Sequence, residues 1–319
     1  MDTQATSTIE DVTAGLGATG YVAARPIALA LWLAERLAKP ILVEGPAGVG
    51  KTELARAIAA WRGLPLHRLQ CHEGLDETRA LYEWKYGKQL LYTQILKDRI
   101  GPLLGDAPGL APALAKLDGF SDLFFSEAFL EPRPLLAALR EPAGCVLLID
   151  EVDKADEAFE AFLLELLADH AVTIPEIGTI RAAVPPIVLL TSNGVRELGD
   201  ALKRRCLHLH IGLPAPALEA RIVAARLPGI AAVLLRQVVL FVQGLRKLDL
   251  KKQPSISETI DWARALTLLH TESLDPDLVR ETLNLLLKHE ADIAAAGPEL
   301  AGLALKAKRD AEGGMPLPA

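Results

Sequence analysis

Cysteine is scarce in this chain: three among 319 residues, at Cys71, Cys145 and Cys206. Three thiols cannot build a disulfide framework, which excludes a stapled secreted scaffold and fits a reducing compartment. Aromatic residues are few as well, at 5%, so any core must be mostly aliphatic. No run of 18 apolar residues occurs; the greasiest stretches are broken by Arg25 and Glu35, and by Arg236 and Gln237. No segment is therefore expected to span a bilayer. The amino end, MDTQATSTIEDV, has no basic head followed by an apolar body, so no secretory signal is read there. Positive charge is not in excess either. Lys plus Arg number 34 against 41 Asp plus Glu, a net charge of −7, which argues against a protein held on nucleic acid or an anionic membrane by bulk charge. Together these absences predict a soluble, cytoplasmic protein.

What is present is ordinary globular material, 50% apolar and 24% charged, enough for two domains of usual size. The first 20 residues are small, polar and glycine-containing, and read as a flexible lead-in. Short apolar runs then alternate with helical patterns. Ile41–Glu44, Pro65–Gln70, Cys145–Asp150, Ile187–Ser192 and Leu207–Ile211 read as strands. The third is apolar almost throughout, as a strand covered on both faces should be. Strands separated by helices predict an α/β fold with a parallel sheet flanked by helices, over residues 21–213. After Gly212-Leu213-Pro214 the strands stop. Leu234, Val238, Phe241, Val242 and Leu245 share one helical face, as do Leu278, Leu283, Leu286 and Leu287, so residues 214–308 read as a smaller all-helical domain. Residues 309–319 read as a flexible tail.

Gly45-Pro46-Ala47-Gly48-Val49-Gly50-Lys51-Thr52 fits G-x-x-x-x-G-K-[ST] and sits between a predicted strand and a predicted helix. Glycines suit a loop that wraps polyphosphate with backbone N–H groups, because a Cβ would obstruct the approach. The helix beginning at Lys51 adds its positive N-terminal end. Lys51 is expected on the β- and γ-phosphates, with Thr52 giving its hydroxyl oxygen to Mg²⁺ and Glu53 beside them. Val146 to Glu151 carries an apolar strand into two carboxylates. Asp150 is expected to hold Mg²⁺, and Glu151 to polarise the attacking water. The plainer reading makes that pair a cap for a helix over Asp156–Ala168. Asn193, closing the next strand, holds the lytic water on one reading and forms a turn before Gly194 on the other. Arg204 and Arg205 end a short helix. They either reach a neighbouring subunit's phosphate or complement the helix dipole.

Taken in order, GPAGVGKT, VLLIDEVDKA, IVLLTSN, ALKRRC and a helical region resemble the AAA+ ATPases, and most of all their MoxR branch, over about residues 20–300. That branch carries a helical insertion after the second strand, which Gly74 to Lys97 fits, and a β-hairpin before the Asn-bearing strand, which Val172–Arg181 fits. The stretches CHEGLDETRALYEWKYGKQLLY and SISETIDWARAL look like the CoxD-like members linked to carbon monoxide dehydrogenase maturation. The resemblance implies ATP and Mg²⁺ as cofactors and a ring, usually a hexamer, with ATP at each subunit boundary. It implies Asn193 as γ-phosphate sensor and Arg205 as the trans-acting arginine finger, with Arg204 the second choice. Members place a lid arginine on the nucleotide; Glu258 stands about where that residue belongs, so Arg264 on the same helix substitutes for it. The implied work is remodelling of a protein client, a metalloenzyme, with a von Willebrand A-type (VWA) adaptor and without nucleic acid or membrane insertion.

Two other classes stay open: a nucleic-acid motor, and a nucleotide-binding scaffold with little turnover. The loop reads phosphates, so GTP in place of ATP is open too. Cys206, His208 and His210 alternate along a strand with the spacing of metal ligands, though hydrogen-bonded strand histidines are the plainer reading. The pair Cys71-His72 has no partner cluster. Phe120, Phe124, Phe125 and Phe129 either face a ring pore or, as the favoured reading, pack the insertion. Trp84 with Tyr82 and Tyr86 reads as packing or as a partner surface.

Overall fold

A computed structural model describes residues 8–105, 125–175 and 177–313. Strands β1 (Ile41–Glu44), β2 (Leu66–Gln70), β5 (Val146–Asp150), β8 (Ile187–Ser192) and β9 (Leu207–His210) form one sheet in the order β2-β5-β8-β1-β9. Every neighbouring pair in it is parallel. Side chains alternate between the two faces of a strand. On β5, Leu147 and Ile149 enter one core while Val146 and Leu148 enter the other. That double burial is why the run reads apolar at every position.

Helices α1 (Ile9–Ala18), α2 (Arg25–Leu37) and α3 (Lys51–Arg62) cover one face through Val12, Leu16, Leu31, Leu54 and Ile58. The opposite face is covered by α4 (Glu77–Leu81), α6 (Pro134–Leu139), α7 (Glu157–Asp169) and α8 (Asp200–Arg205). The Asp156 side chain caps α7 by accepting from the Phe159 N–H at 2.9 Å, so Asp150 and Glu151 are not its cap. Between α4 and α6, the expected helical insertion is a mixture. It holds α5 (Tyr86–Gly105) and an antiparallel pair, β3 (Tyr82–Trp84) with β4 (Leu130–Pro132). The hairpin read over Val172–Arg181 is present as β6 (Ala171–Ile174) and β7 (Gly178–Arg181), one residue longer at its start, with Ala171 opposite Arg181.

After β9 the described chain is helical: α9 (Pro216–Arg226), α10 (Ala232–Leu245), α11 (Ile256–Leu268), α12 (Pro276–Thr282), α13 (Glu290–Ala296) and α14 (Leu300–Glu312). They share a third core around Val238, Phe241, Trp262 and Leu283. Inside it Arg246 donates to both Glu219 carboxylate oxygens, at 2.7 and 2.8 Å.

Both chain ends differ from expectation. Residues 9–18 are not a loose lead-in but a helix, capped by Thr8 and buried through Val12 and Leu16. Gly15 is required there by packing, because a Cβ would lie 2.0 Å from the Trp61 indole nitrogen. Helix α14 continues to Glu312 with Ala307 and Ala311 buried, so the expected tail from residue 309 begins as helix.

The side candidates resolve by contact. His208 pairs with Glu44 through Nε2, Cys206 is buried in the core, and no metal-holding group of three His, Cys, Asp or Glu occurs among the described residues. Phe129 and Trp84 are buried, and Trp84 packs edge-on against Tyr82 and Phe125 at 5.6 and 5.3 Å. Phe120 and Phe124 lie outside the described residues. Among the described residues, no helix is long and apolar enough to cross a membrane.

Candidate functional site

Parallel pairing brings the C-terminal ends of β2, β5, β8 and β1 into one row, with Gln70 beside Asp150 and Glu44 beside Ser192. Ligands in open α/β sheets bind at that edge. The loop from Gly45 to Gly50 crosses it between β1 and α3. Gly45, Gly48 and Gly50 have φ of 151°, 78° and 96°. At Gly45 a Cβ would lie 2.0 Å from the Ile211 carbonyl oxygen, and at Gly48 2.2 Å from Ser255 Oγ. Only glycine fits either position.

Lys51 is 6% exposed, and its ammonium donates to Gly45 O at 2.6 Å, Pro46 O at 2.7 Å and Asn193 Oδ1 at 2.8 Å. Burial pushes its pKa down, while Asp153, Asp150 and Glu151 oppose that shift. Thr52 Oγ1 donates to Asp150 at 3.1 Å. The same carboxylate, 3% exposed, accepts from Arg68 at 2.6 and 3.0 Å and from the Thr191 hydroxyl. Glu151 stands in the left-handed region at φ 57°, a strained backbone for a residue with a Cβ. Its Oε1 accepts from Asn193 Nδ2 at 3.1 Å, and its Oε2 from Gln70 Nε2 and Lys154 Nζ, both at 2.7 Å. Lys51, Thr52, Asp150, Glu151 and Asn193 thus converge. Asn193 lies at a turn, and its side chain also joins lysine to glutamate.

Two adjoining cavities flank the loop. One of about 240 Å³ is lined by Ala47, Gly48, Lys51, Thr52, Asp150 and Glu151 among others. The other, of about 740 Å³, is lined by Tyr21, Val49, Ile211, Ile260, Arg226 and Arg264 among others. Gly50, Glu53 and Ser257 border both. Glu53 is bonded to Arg226 of α9 at 2.6 Å, which ties the helical region to the phosphate-loop helix. A second tie runs from Ser257 of α11, whose N–H and Oγ donate to Gly48 O at 3.2 and 3.0 Å.

Three predicted arginines lie away from the acidic cluster. Arg264 borders the larger cavity, is exposed, and lies 4.0 Å from Asp261. Arg204 and Arg205 are exposed at the end of α8. Glu258 does not line either cavity; it accepts from Ser255 N at 2.6 Å and caps α11. Sequence reasoning missed Arg68, Gln70, Lys154, Asp153, Arg226 and Ser257. For Arg68, Gln70, Arg226 and Ser257 the signal is strand adjacency or docking of the helical region, which no motif carries, whereas Asp153 and Lys154 stand inside VLLIDEVDKA itself.

The residues present fit a magnesium nucleotide. The loop is a cradle that a Cβ at Gly45 or Gly48 would fill. Thr52 and Asp150 offer the hard oxygen donors that Mg²⁺ takes. A buried lysine faces the same cavity.

A parallel sheet, a glycine loop closed around a buried lysine, and a carboxylate pair at the neighbouring strand end define a phosphate-loop NTPase. Residues 40–206 match the AAA domain of the dynein-related subfamily, and the chain belongs to that family. The family implies nucleotide binding and ATP hydrolysis. The chain is 27% identical over 228 residues to the denitrification regulatory protein NirQ of Stutzerimonas stutzeri, spanning 69% of this chain and 68% of that protein. It is 28% identical over 192 residues to NorQ of Paracoccus denitrificans, covering 58% and 57% of the two chains. Among solved structures, the RuvB Holliday junction branch migration motor of Thermotoga maritima superposes with a TM-score of 0.43 at 17% identity, over 84% of this chain and 68% of that one.

Proposed function

We propose that this chain is a MoxR-type AAA+ ATPase that hydrolyses ATP with Mg²⁺ in a ring, a hexamer, to remodel a protein client. The observation that carries this reading is the hydrogen-bonded line Lys51–Asn193–Glu151 beside Asp150 and Thr52. Residues Gly45 to Glu53 hold the phosphates, with the Lys51 ammonium supplying charge. Thr52 and Asp150 hold Mg²⁺, which when bound neutralises phosphate charge. Glu151 takes the proton of the attacking water, and Asn193 orients that water. Catalysis is positioning and charge stabilisation, with no covalent step. Arg205, or Arg204 beside it, completes the neighbouring subunit's site, and their exposure and lack of partners among the described residues support that role. Arg264, at the mouth of the larger cavity, reports the nucleotide to the lid. On this reading residues 21–213 are the nucleotide-binding domain and 214–308 the lid.

The client is a metalloenzyme approached through a VWA-type adaptor, as in the CoxD-like branch. The relatives named as denitrification regulatory proteins support a regulatory partner for this chain. Three free, buried cysteines and the lack of a spanning helix among the described residues support a cytoplasmic site, and the charge of −7 supports a protein client over nucleic acid. The test is to express Glu151→Gln in the source organism, hold it with ATP and identify what co-purifies by mass spectrometry. A VWA-type protein or an immature metalloenzyme is expected. DNA with repair or transcription proteins would overturn the client reading.

A further inference from the structure

We propose that Glu160 is a positioning residue for the arginines that α8 offers to a neighbouring subunit. This rests on the reading of Arg204 and Arg205 as trans-acting. Glu160 lies on α7, at the sheet-facing core, and is 5% exposed. A carboxylate in such a place is costly unless charge and hydrogen bonds compensate it. Both of its oxygens are used on the loop that leads to α8. Oε1 accepts from Arg196, whose guanidinium also donates to Ala155 O at 2.7 Å. Oε2 accepts from the Gly199 N–H at 2.9 Å.

Gly199 is the residue from which α8 starts, and its carbonyl accepts from Leu202 N and Lys203 N at 3.1 and 3.2 Å. The approach is close: a Cβ on Gly199 would lie 3.0 Å from Glu160 Oε2. Helix α8 has six residues and buries only Leu202, so its first hydrogen bonds largely set its axis. Its far end carries Arg204 and Arg205.

The other end of the same loop is pinned in the same way. Asp153, 3% exposed, accepts at Oδ2 from Asn193 N at 3.1 Å and Val195 N at 2.9 Å. The segment following β5 therefore holds the loop at two buried carboxylates, Asp153 beside the phosphate site and Glu160 beside the arginine helix. Leu198 and Leu202 would hold the loop against the Phe159 and Leu163 core by packing alone. Buried ion pairs are poor sources of stability compared with apolar packing of equal size. What this pair adds is a fixed direction for α8, and with it a fixed position for the arginines offered across the subunit boundary.

The test uses the trans geometry. Glu160→Ala should lower ATPase on the order of 10²-fold, the usual effect of misplacing a catalytic group by about an ångström. Its affinity for a fluorescent ATP analogue should stay within about twofold of the parent, because no phosphate contact is lost. Glu151→Gln is inactive in its own site but offers intact arginines. Co-expressed one to one, the two variants should regain activity, since about one quarter of the sites in a head-to-tail ring combine an intact Glu151 with an intact neighbour. Arg196→Ala, at a half-exposed residue, repeats the test without altering α7. Full ATPase in Glu160→Ala and Arg196→Ala would overturn the proposal. So would loss of activity that Glu151→Gln cannot restore, when it does restore the double variant Arg204→Ala/Arg205→Ala. Failure of that double variant to lose activity, or to be restored, would instead overturn the trans-arginine reading itself.

Discussion

Arg246→Met should destabilise the helical region by about 3–5 kcal/mol, the cost of leaving a buried charge without its partner. Glu219 is fully buried and accepts four hydrogen bonds: two from Arg246, one from Gln243 at 2.7 Å and one from Thr259 at 2.8 Å. Methionine removes the two charge-assisted bonds, each contributing about 1.5–3 kcal/mol, and leaves the carboxylate with two neutral donors. Pro254 O also loses its bond from Arg246 Nε, at 2.8 Å. Pro254 directly precedes the turn whose Ser257 holds Gly48 of the phosphate loop, so KM for ATP should rise at temperatures where the chain is still folded. Urea titration followed by the ¹⁹F signal of 5-fluorotryptophan at Trp262, which is fully buried in that core, measures the loss locally. The double variant Arg246→Met/Glu219→Leu should recover most of it, because an apolar replacement of a whole buried pair is close to neutral. A loss below about 1 kcal/mol, or a double variant as unstable as the single one, would show that Arg246 does not compensate the buried Glu219 charge.

Gly48→Ala forces a side chain onto a φ of +78° and toward Ser255 Oγ; a strain of about 1–2 kcal/mol predicts roughly tenfold weaker ATP-analogue binding, and unchanged affinity would contradict it. Because burial lowers the Lys51 pKa, its charge is lost as pH rises through that lowered value. ATP affinity should therefore begin to fall below pH 10.5, the ordinary lysine value; a flat profile to that pH would count against the buried ammonium. Burial pushes Cys71, Cys145 and Cys206 up to about 12. At pH 8 a thiol reagent such as Ellman's should find almost no reactive cysteine in the native protein and all three after denaturation. Prompt native reaction would show that these sites open.

The phosphate loop, the acidic strand end and all five sheet strands were legible because each is written in contiguous residues. Strand alternation and glycine spacing act over a few positions, and local sequence determines them. Arg68 and Gln70 were not legible, because they meet Asp150 and Glu151 only once β2 is known to lie beside β5. Nothing in either strand states that order. The amino-terminal helix was missed for a related reason. Gly15 and Gly17 weaken helix propensity on paper, whereas in the fold Gly15 is the residue that lets Trp61 approach. Asn193 shows the limit from the other side. Its turn position was evident, but the contacts that give it chemistry join it to Lys51 at the start of α3 and to Glu151 after β5, segments far apart in the chain.

Whether this site hydrolyses ATP is decided by phosphate release from ATP by the purified chain with Mg²⁺, measured beside Glu151→Gln. Steady turnover by the parent chain is expected, with a fall of about 10²-fold or more in a variant that still binds ATP, the scale of losing a general base. Equal rates in the two proteins, or no release from the parent under any ring-forming condition, would contradict it.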